Sequence, residues 1–128
     1  MRFVHIAALA ISVLSVTGCT RWSMNHHLNN AYKAYDRGNC EQVMLELSKV
    51  ERESRARPYV WPEASMMRGL CLERQKMFVD AAQTYQFIMA AYPQSEYAYR
   101  ARARLETLQS LGHYPLRSAA AAVRPTQF

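Results

Sequence analysis

The chain has 128 residues, with 16 Lys and Arg against 10 Asp and Glu, and a formal net charge of +6. That length supports one small core and leaves no room for a second domain of ordinary size. The positive surplus fits acidic partners such as lipid head groups, lipopolysaccharide or polyanionic glycan. It is not gathered into the long basic block that nucleic-acid binding favours.

At the N-terminus Met1-Arg2 supplies a short positive segment, and Phe3 to Leu14 form an apolar run too short to span a bilayer. Val16-Thr17-Gly18-Cys19 then places small residues directly before a cysteine. This arrangement resembles a bacterial lipoprotein signal peptide. The resemblance implies that residues 1–18 are cut away, that Cys19 receives a diacylglyceryl group and an acylated amino terminus, and that residues 19–24 form a lipidated tether. Thr20 stands where an aspartate would resemble an inner-membrane retention mark, so the implied location is the outer membrane, facing the periplasm. Several acyl chains, each methylene contributing about 0.8 kcal/mol, hold such a protein stably, and the rest of the chain can be soluble. An exported chain is not expected to meet nucleic acid. With Cys19 committed to lipid, Cys40 and Cys71 remain. An oxidising compartment allows either a disulfide or two buried free thiols packed as small apolar residues.

Glycine is scarce and no stretch alternates with the strand period for long, so the chain is expected to be all α-helical. A first helix is expected from Trp22 or Asn25 to Arg37, with Leu28, Ala31, Tyr32 and Tyr35 on one face, and Gly38 ends it. Asn39 is placed to cap a second helix and Gln42 to complete a capping box. Cys40, Val43, Met44, Leu47 and Val50 give that helix its stripe as far as about Arg55. Pro58 and Pro62 bracket a linker, and Pro62 suits the first turn of a third helix that turns Met66, Leu70 and Cys71 inward. After a turn near Lys76 and Met77, Phe78, Ala81, Tyr85, Ile88 and Met89 define a fourth helix that Tyr92-Pro93 stops. Ser95 caps a fifth, with Ala98, Ala101, Leu105 and Leu108 on its face and Leu111-Gly112 at its end. Residues 25–112 form the expected helical domain, and residues 113–128 a flexible C-terminal tail without periodic signal.

The two helical hairpins align at an offset of 38 residues, pairing Ala31 with Gly69, Cys40 with Phe78, Val43 with Ala81, Leu47 with Tyr85 and Val50 with Ile88. Such self-similarity marks stacked units that cannot bury their apolar faces alone. The second unit, Gly69-x2-Leu72-x5-Phe78-x2-Ala81-x3-Tyr85-x2-Ile88-x4-Pro93, resembles a tetratricopeptide repeat. Gly69 and Ala81 would let the paired helices approach, while Phe78 and Tyr85 fill the gap. The first unit departs from the pattern with Val43 in place of alanine and a linker longer than the family's period of about 34 residues allows. The fifth helix resembles half of a third unit, which makes about two and a half units. Ala91-Tyr92-Pro93-Gln94-Ser95-Glu96-Tyr97-Ala98 is similar to the YP-x-S-x-YA junctions of periplasmic repeat proteins. These include the lipoprotein of the outer-membrane protein assembly machinery and the coordinator associated with the Tol-Pal system.

The resemblance carries two structural expectations. In stacked hairpins the start of the second helix lies near the latter half of the third, where a Cys40–Cys71 bridge would staple one unit to the next. The first helix of each unit lines a concave side, here presenting Leu28, Tyr32 and Tyr35, then Met66, Leu70 and Arg74, then Tyr97, Arg100 and Arg104. An aromatic and methionine floor with arginines along one edge suits an extended peptide or amphipathic helix that carries acidic residues.

No catalytic constellation stands out. His26 and His27 are neighbours and cannot face one side of a helix, so they are expected at a solvated helix start and hold no metal. Glu51 and Glu53 among Arg52, Arg55 and Arg57 make a mixed-charge surface and no acid–base pair. The expectation is therefore a non-enzymatic protein without cofactor: a lipid-anchored adaptor holding a protein partner in the cell envelope, with an acidic glycan or lipid as a further contact. It would assist envelope assembly or a secretion, pilus or polysaccharide apparatus. The alternatives are a subunit permanently built into such an apparatus and, third, a glycan-binding enzyme accessory.

Overall fold

Short polar turns break the apolar stripes into five helices, and among the described residues there is no strand. A computed structural model describes residues 21–55 and 58–115. In it α1 (21–36), α2 (Cys40–Glu53), α3 (Trp61–Arg74), α4 (Phe78–Ala91) and α5 (Glu96–Ser110) run alternately up and down, with a 3₁₀ turn, Pro58–Val60, leading into α3. This is an all-α helical-hairpin fold.

The helix ends show why the boundaries fall where they do. Asn39 Oδ1 accepts the Gln42 backbone N–H at 3.0 Å, as its sequence position anticipates. The capping box stays half made, because the Gln42 side chain donates to Glu46 Oε1 at 2.8 Å while the Asn39 N–H donates to the Ala34 carbonyl. Ser95 caps α5 by accepting from the Ala98 N–H. Three helices end in the same way: the residue past the end has positive φ and its N–H reaches back three residues, while the next N–H reaches back five. Gly38 and Gly112 take that position with φ of 76° and 72°. After α3 the position falls to Lys76, at φ 62°, and the Met77 N–H closes on the Leu72 carbonyl at 2.9 Å.

Two apolar clusters share α3. Met24, Ala31, Ala34, Val43, Leu47, Val50, Ala64, Met67 and Cys71 bury one side of it against α1 and α2. Met66, with Ala81, Ala82, Tyr85, Ile88, Ala101, Leu105 and Leu108, buries the other against α4 and α5. Cys40 and Cys71 are disulfide-bonded with their Cα atoms 5.5 Å apart, joining α2 to α3. Gly69 is the point of closest approach. A Cβ built there would lie 2.5 Å from Cε1 of Tyr85, a ring with no exposed surface. The Tyr85 hydroxyl donates to Glu73 Oε1 at 2.5 Å, and Arg104 donates to the same carboxylate, so one acid on α3 ties down α4 and α5 together.

Four sequence expectations shift. The core face of α1 is Met24, Ala31 and Ala34, with Leu28 and Tyr35 half-buried, whereas Tyr32 turns toward α3 and is 41% exposed. The reason is that α1 packs against α2 and α3 at once, which pulls its buried stripe round. Residues 21–24 are helical and Met24 is 1% exposed, so this part of the expected tether belongs to the folded unit. The described start of the expected tail also packs: His113 stacks on Phe78 with ring centroids 4.0 Å apart, and Tyr114 lies against the second cluster. Residues 116–128, like residues 1–20 with Cys19, lie outside the described residues.

The fourth shift concerns His27, expected in solvent. Its Nδ1 sits 2.6 Å from Glu46 Oε2 and its Nε2 lies 3.7 Å from Glu53 Oε1, while Ser23 donates to Glu53 at 3.1 Å. Glu46 is 4% exposed and also accepts from Lys49 and Gln42. Burial alone would raise the pKa of this carboxyl. The hydrogen bonds from His27 and Lys49 outweigh burial and hold it below the ordinary carboxylate value. Glu46 is therefore a buried anion with its acceptors filled, and it locks α1 to α2.

Candidate partner-binding cleft

Because α1, α3 and α5 run parallel on one side of the stack, the stripes they turn toward each other meet. Tyr32 and Tyr35 from α1, Glu63, Met66, Met67 and Leu70 from α3, and Tyr97 and Arg100 from α5 line one cleft of about 100 Å³. The two methionines are its buried floor, at 6% and 3% exposure. The tyrosines form its walls.

The polar rim is ordered. The Tyr32 hydroxyl donates to Glu63 Oε1 at 2.5 Å. Burial, then the Glu63 carboxylate, raises the Tyr32 phenol well above its usual range, and burial with the Glu63 and Glu96 charges pushes Tyr97 up to about 12. Both phenols stay neutral at physiological pH, and with its proton committed to Glu63 the Tyr32 hydroxyl meets a ligand as an acceptor. Arg100 lies over the Tyr97 ring, 5.2 Å from its centroid, and pairs with Glu96 at 3.3 Å across an exposed turn. The site can accept an apolar side chain against methionine and tyrosine while offering a guanidinium and phenol hydroxyls at its lip.

Of the nine residues that the sequence placed along the concave side, Tyr32, Tyr35, Met66, Leu70, Tyr97 and Arg100 come together here. Three do not. Leu28 packs on the margin of the first core cluster. Arg74 donates to the Tyr35 carbonyl at 2.6 Å and stacks over the Tyr35 ring at 4.1 Å, so it covers the end of α1 instead of facing a partner. Arg104 is held by Glu73, whose hydrogen bond raises the guanidinium pKa still further; it is a structural cation and not part of a basic edge. Glu63 and Met67 were missed. Their spacing from Met66 and Leu70 follows the same helical face, so the stripe 63, 66, 67, 70 was present in the sequence.

Two wider clefts open on the other side of the stack. One, of about 320 Å³, is lined by Ser65, Arg68, Asp80, Gln83, Thr84 and Phe87; the other, of about 350 Å³, is lined by Ser48, Glu51, Arg52, Arg55 and Trp61. Among the described residues no group of three or more His, Cys, Asp or Glu side chains is placed to hold a metal ion, and no helix is long and apolar enough to cross a membrane. Comparison with protein families, with curated proteins and with solved structures gives no match.

Proposed function

We propose that this chain is a lipid-anchored, periplasm-facing adaptor of tetratricopeptide-like build, which holds a segment of an envelope protein in the cleft between α1, α3 and α5. The observation that carries the reading is convergence. Six residues from three helices, up to 68 positions apart between Tyr32 and Arg100, gather round one methionine-floored opening. A bland surface gives no reason for tyrosines and methionines to collect at an opening, whereas a peptide-binding groove requires apolar anchors with a polar rim. The cleft accommodates one or two apolar side chains, and Arg100 at its lip favours a neighbouring carboxylate on the partner. The small volume implies modest intrinsic affinity, which a lipid tether on Cys19 would raise by confining both partners to one surface.

Two measurements test this reading. Mass spectrometry of the protein isolated from its own envelope should find Cys19 as an acylated first residue. A photo-crosslinking amino acid at position 97 should give a discrete protein adduct that the same probe at exposed position 102 does not. An intact segment 1–18, or identical adducts from both positions, would contradict it.

A further inference from the structure

Successive helices reverse through turns, so the N-terminal ends of α1, α3 and α5 share one end of the bundle with the C-terminal end of α2. Each of those three N-terminal ends holds an aromatic side chain out in solvent. Trp22, Tyr59 and Tyr99 are 73%, 66% and 68% exposed, above every other Trp, Tyr or Phe among the described residues. Arg21, Arg52 and Arg55 lie at the same end, all exposed and outside every ion pair of the described residues.

The carboxylates of this end are engaged within the protein. Glu51 is held by Arg68 at 2.7 Å, Glu53 by Ser23, Glu63 by Tyr32 and Glu96 by Arg100. The opposite end differs. There Lys33, Arg37, Arg74 and Lys76 are exposed beside an equal number of exposed carboxylates, Asp36, Glu41, Asp80 and Glu106, and no Trp, Tyr or Phe is comparably exposed.

Exposed Trp and Tyr with unpaired arginines form the composition of a membrane interface. The rings place an apolar body and a polar edge at head-group level, and the cations are attracted by anionic lipid. The chain enters the fold at this end. Arg21 follows Cys19 by two residues, a reach of about 7 Å. We propose that this end of the bundle docks on an anionic phospholipid bilayer, with Trp22, Tyr59 and Tyr99 at the interface and Arg21, Arg52 and Arg55 against the head groups. The inference rests on the lipid-anchor reading and adds to it a fixed orientation. The folded unit stands with one end on the membrane, and α1, α3 and α5 rise from it with the cleft facing sideways.

The test uses the full lipidated chain carrying Trp22→Phe, which leaves Trp61 as the sole tryptophan of the two. Trp61 lines a cleft with Arg52 and Arg55 at the docking end. The protein is reconstituted in vesicles of acyl-brominated phosphatidylcholine, with or without phosphatidylglycerol. Flotation reports anchoring, and Trp61 quenching by bromine reports docking. The expected result is stronger quenching when phosphatidylglycerol is present. Arg52→Glu with Arg55→Glu should erase the difference without altering flotation, because each arginine contributes about fivefold to the docked population. Raising the salt to about 0.5 M should act in the same direction. Equal quenching in both vesicle types, or a difference that survives the double substitution, overturns the docked orientation while leaving anchoring intact. A chain that carries no lipid and does not float overturns both.

Discussion

Gly69→Ala is the most demanding test of the packing described above, because helix propensity and close packing predict opposite signs. In an unconstrained helix the change should stabilise by about 0.8–1 kcal/mol. Here the added methyl would lie 2.5 Å from Cε1 and 3.0 Å from Cζ of Tyr85. The ring cannot swing aside cheaply, since it is fully buried and its hydroxyl is fastened to Glu73. Overpacking of this kind costs about 1–3 kcal/mol, and the clash is at the severe end, so the net effect should be a loss of about 1–2 kcal/mol. For a domain of this size that corresponds to a fall in Tm of about 4–15 °C, or a lower urea midpoint at unchanged slope. The same substitution made in a Tyr85→Leu background should lose its penalty and stabilise instead, giving a coupling energy above about 1 kcal/mol. If Gly69→Ala is neutral or stabilising in the wild-type background, or costs the same in both, the close approach of α3 and α4 is wrong.

Three further perturbations address separate parts of the fold. Lys76→Gly should stabilise by about 0.5–1 kcal/mol in chemical denaturation, since a left-handed residue that is not glycine costs about 1–2 kcal/mol and the added freedom of the unfolded chain returns part of it; a loss would show that Lys76 serves the turn through its side chain. Replacing Cys40 and Cys71 together by Ala should cost about 3–4 kcal/mol, the chain entropy of the closed loop, and an unchanged Tm would mean that α2 and α3 are held without the bridge. Glu46 titrates lower in the folded protein than in the unfolded chain, so its contribution is complete above the ordinary value of about 4.5 and disappears as pH falls through the depressed folded value. Glu46→Gln should therefore lower Tm at about pH 6, with the gap to wild type narrowing as pH falls below that ordinary value, and a gap that does not narrow on acidification would refute the buried-anion account.

What could be read from the residues alone follows from how many neighbours each helix has. α2 and α4 bury one stripe each, so Val43, Leu47 and Val50, and Ala81, Tyr85 and Ile88, are legible from spacing. The Gly69 and Tyr85 pair is legible only through the repeat resemblance, because its meaning is a distance between helices. α1 is shared between two neighbours, which is why its stripe was placed around Tyr32 when Ala34 and Met24 are the buried residues. The polar pairings were not legible at all. Arg104 is neutralised by a carboxylate 31 positions earlier and His27 is bound to one 19 positions later, and no local pattern joins such residues before the chain folds. The concave side lost Arg74 and Arg104 for this reason and Leu28 to the turned stripe of α1, and it kept Tyr32, Tyr35, Met66, Leu70, Tyr97 and Arg100.

The central claim is that the cleft is where this protein holds its partner, and Arg100 and Arg102 provide a matched pair with which to test it. They lie two residues apart on α5 and both are exposed, but Arg100 is at the lip of the cleft while Arg102 is not among its lining residues. Reversing either charge should leave helical content and Tm nearly unchanged, because surface substitutions of this kind fall within about 0.5 kcal/mol. The measurement is the yield of the position-97 photo-crosslinked adduct in the envelope with each variant. Arg100→Glu should reduce that yield severalfold and Arg102→Glu should leave it at the wild-type level; equal yields from the two would contradict the assignment of the cleft.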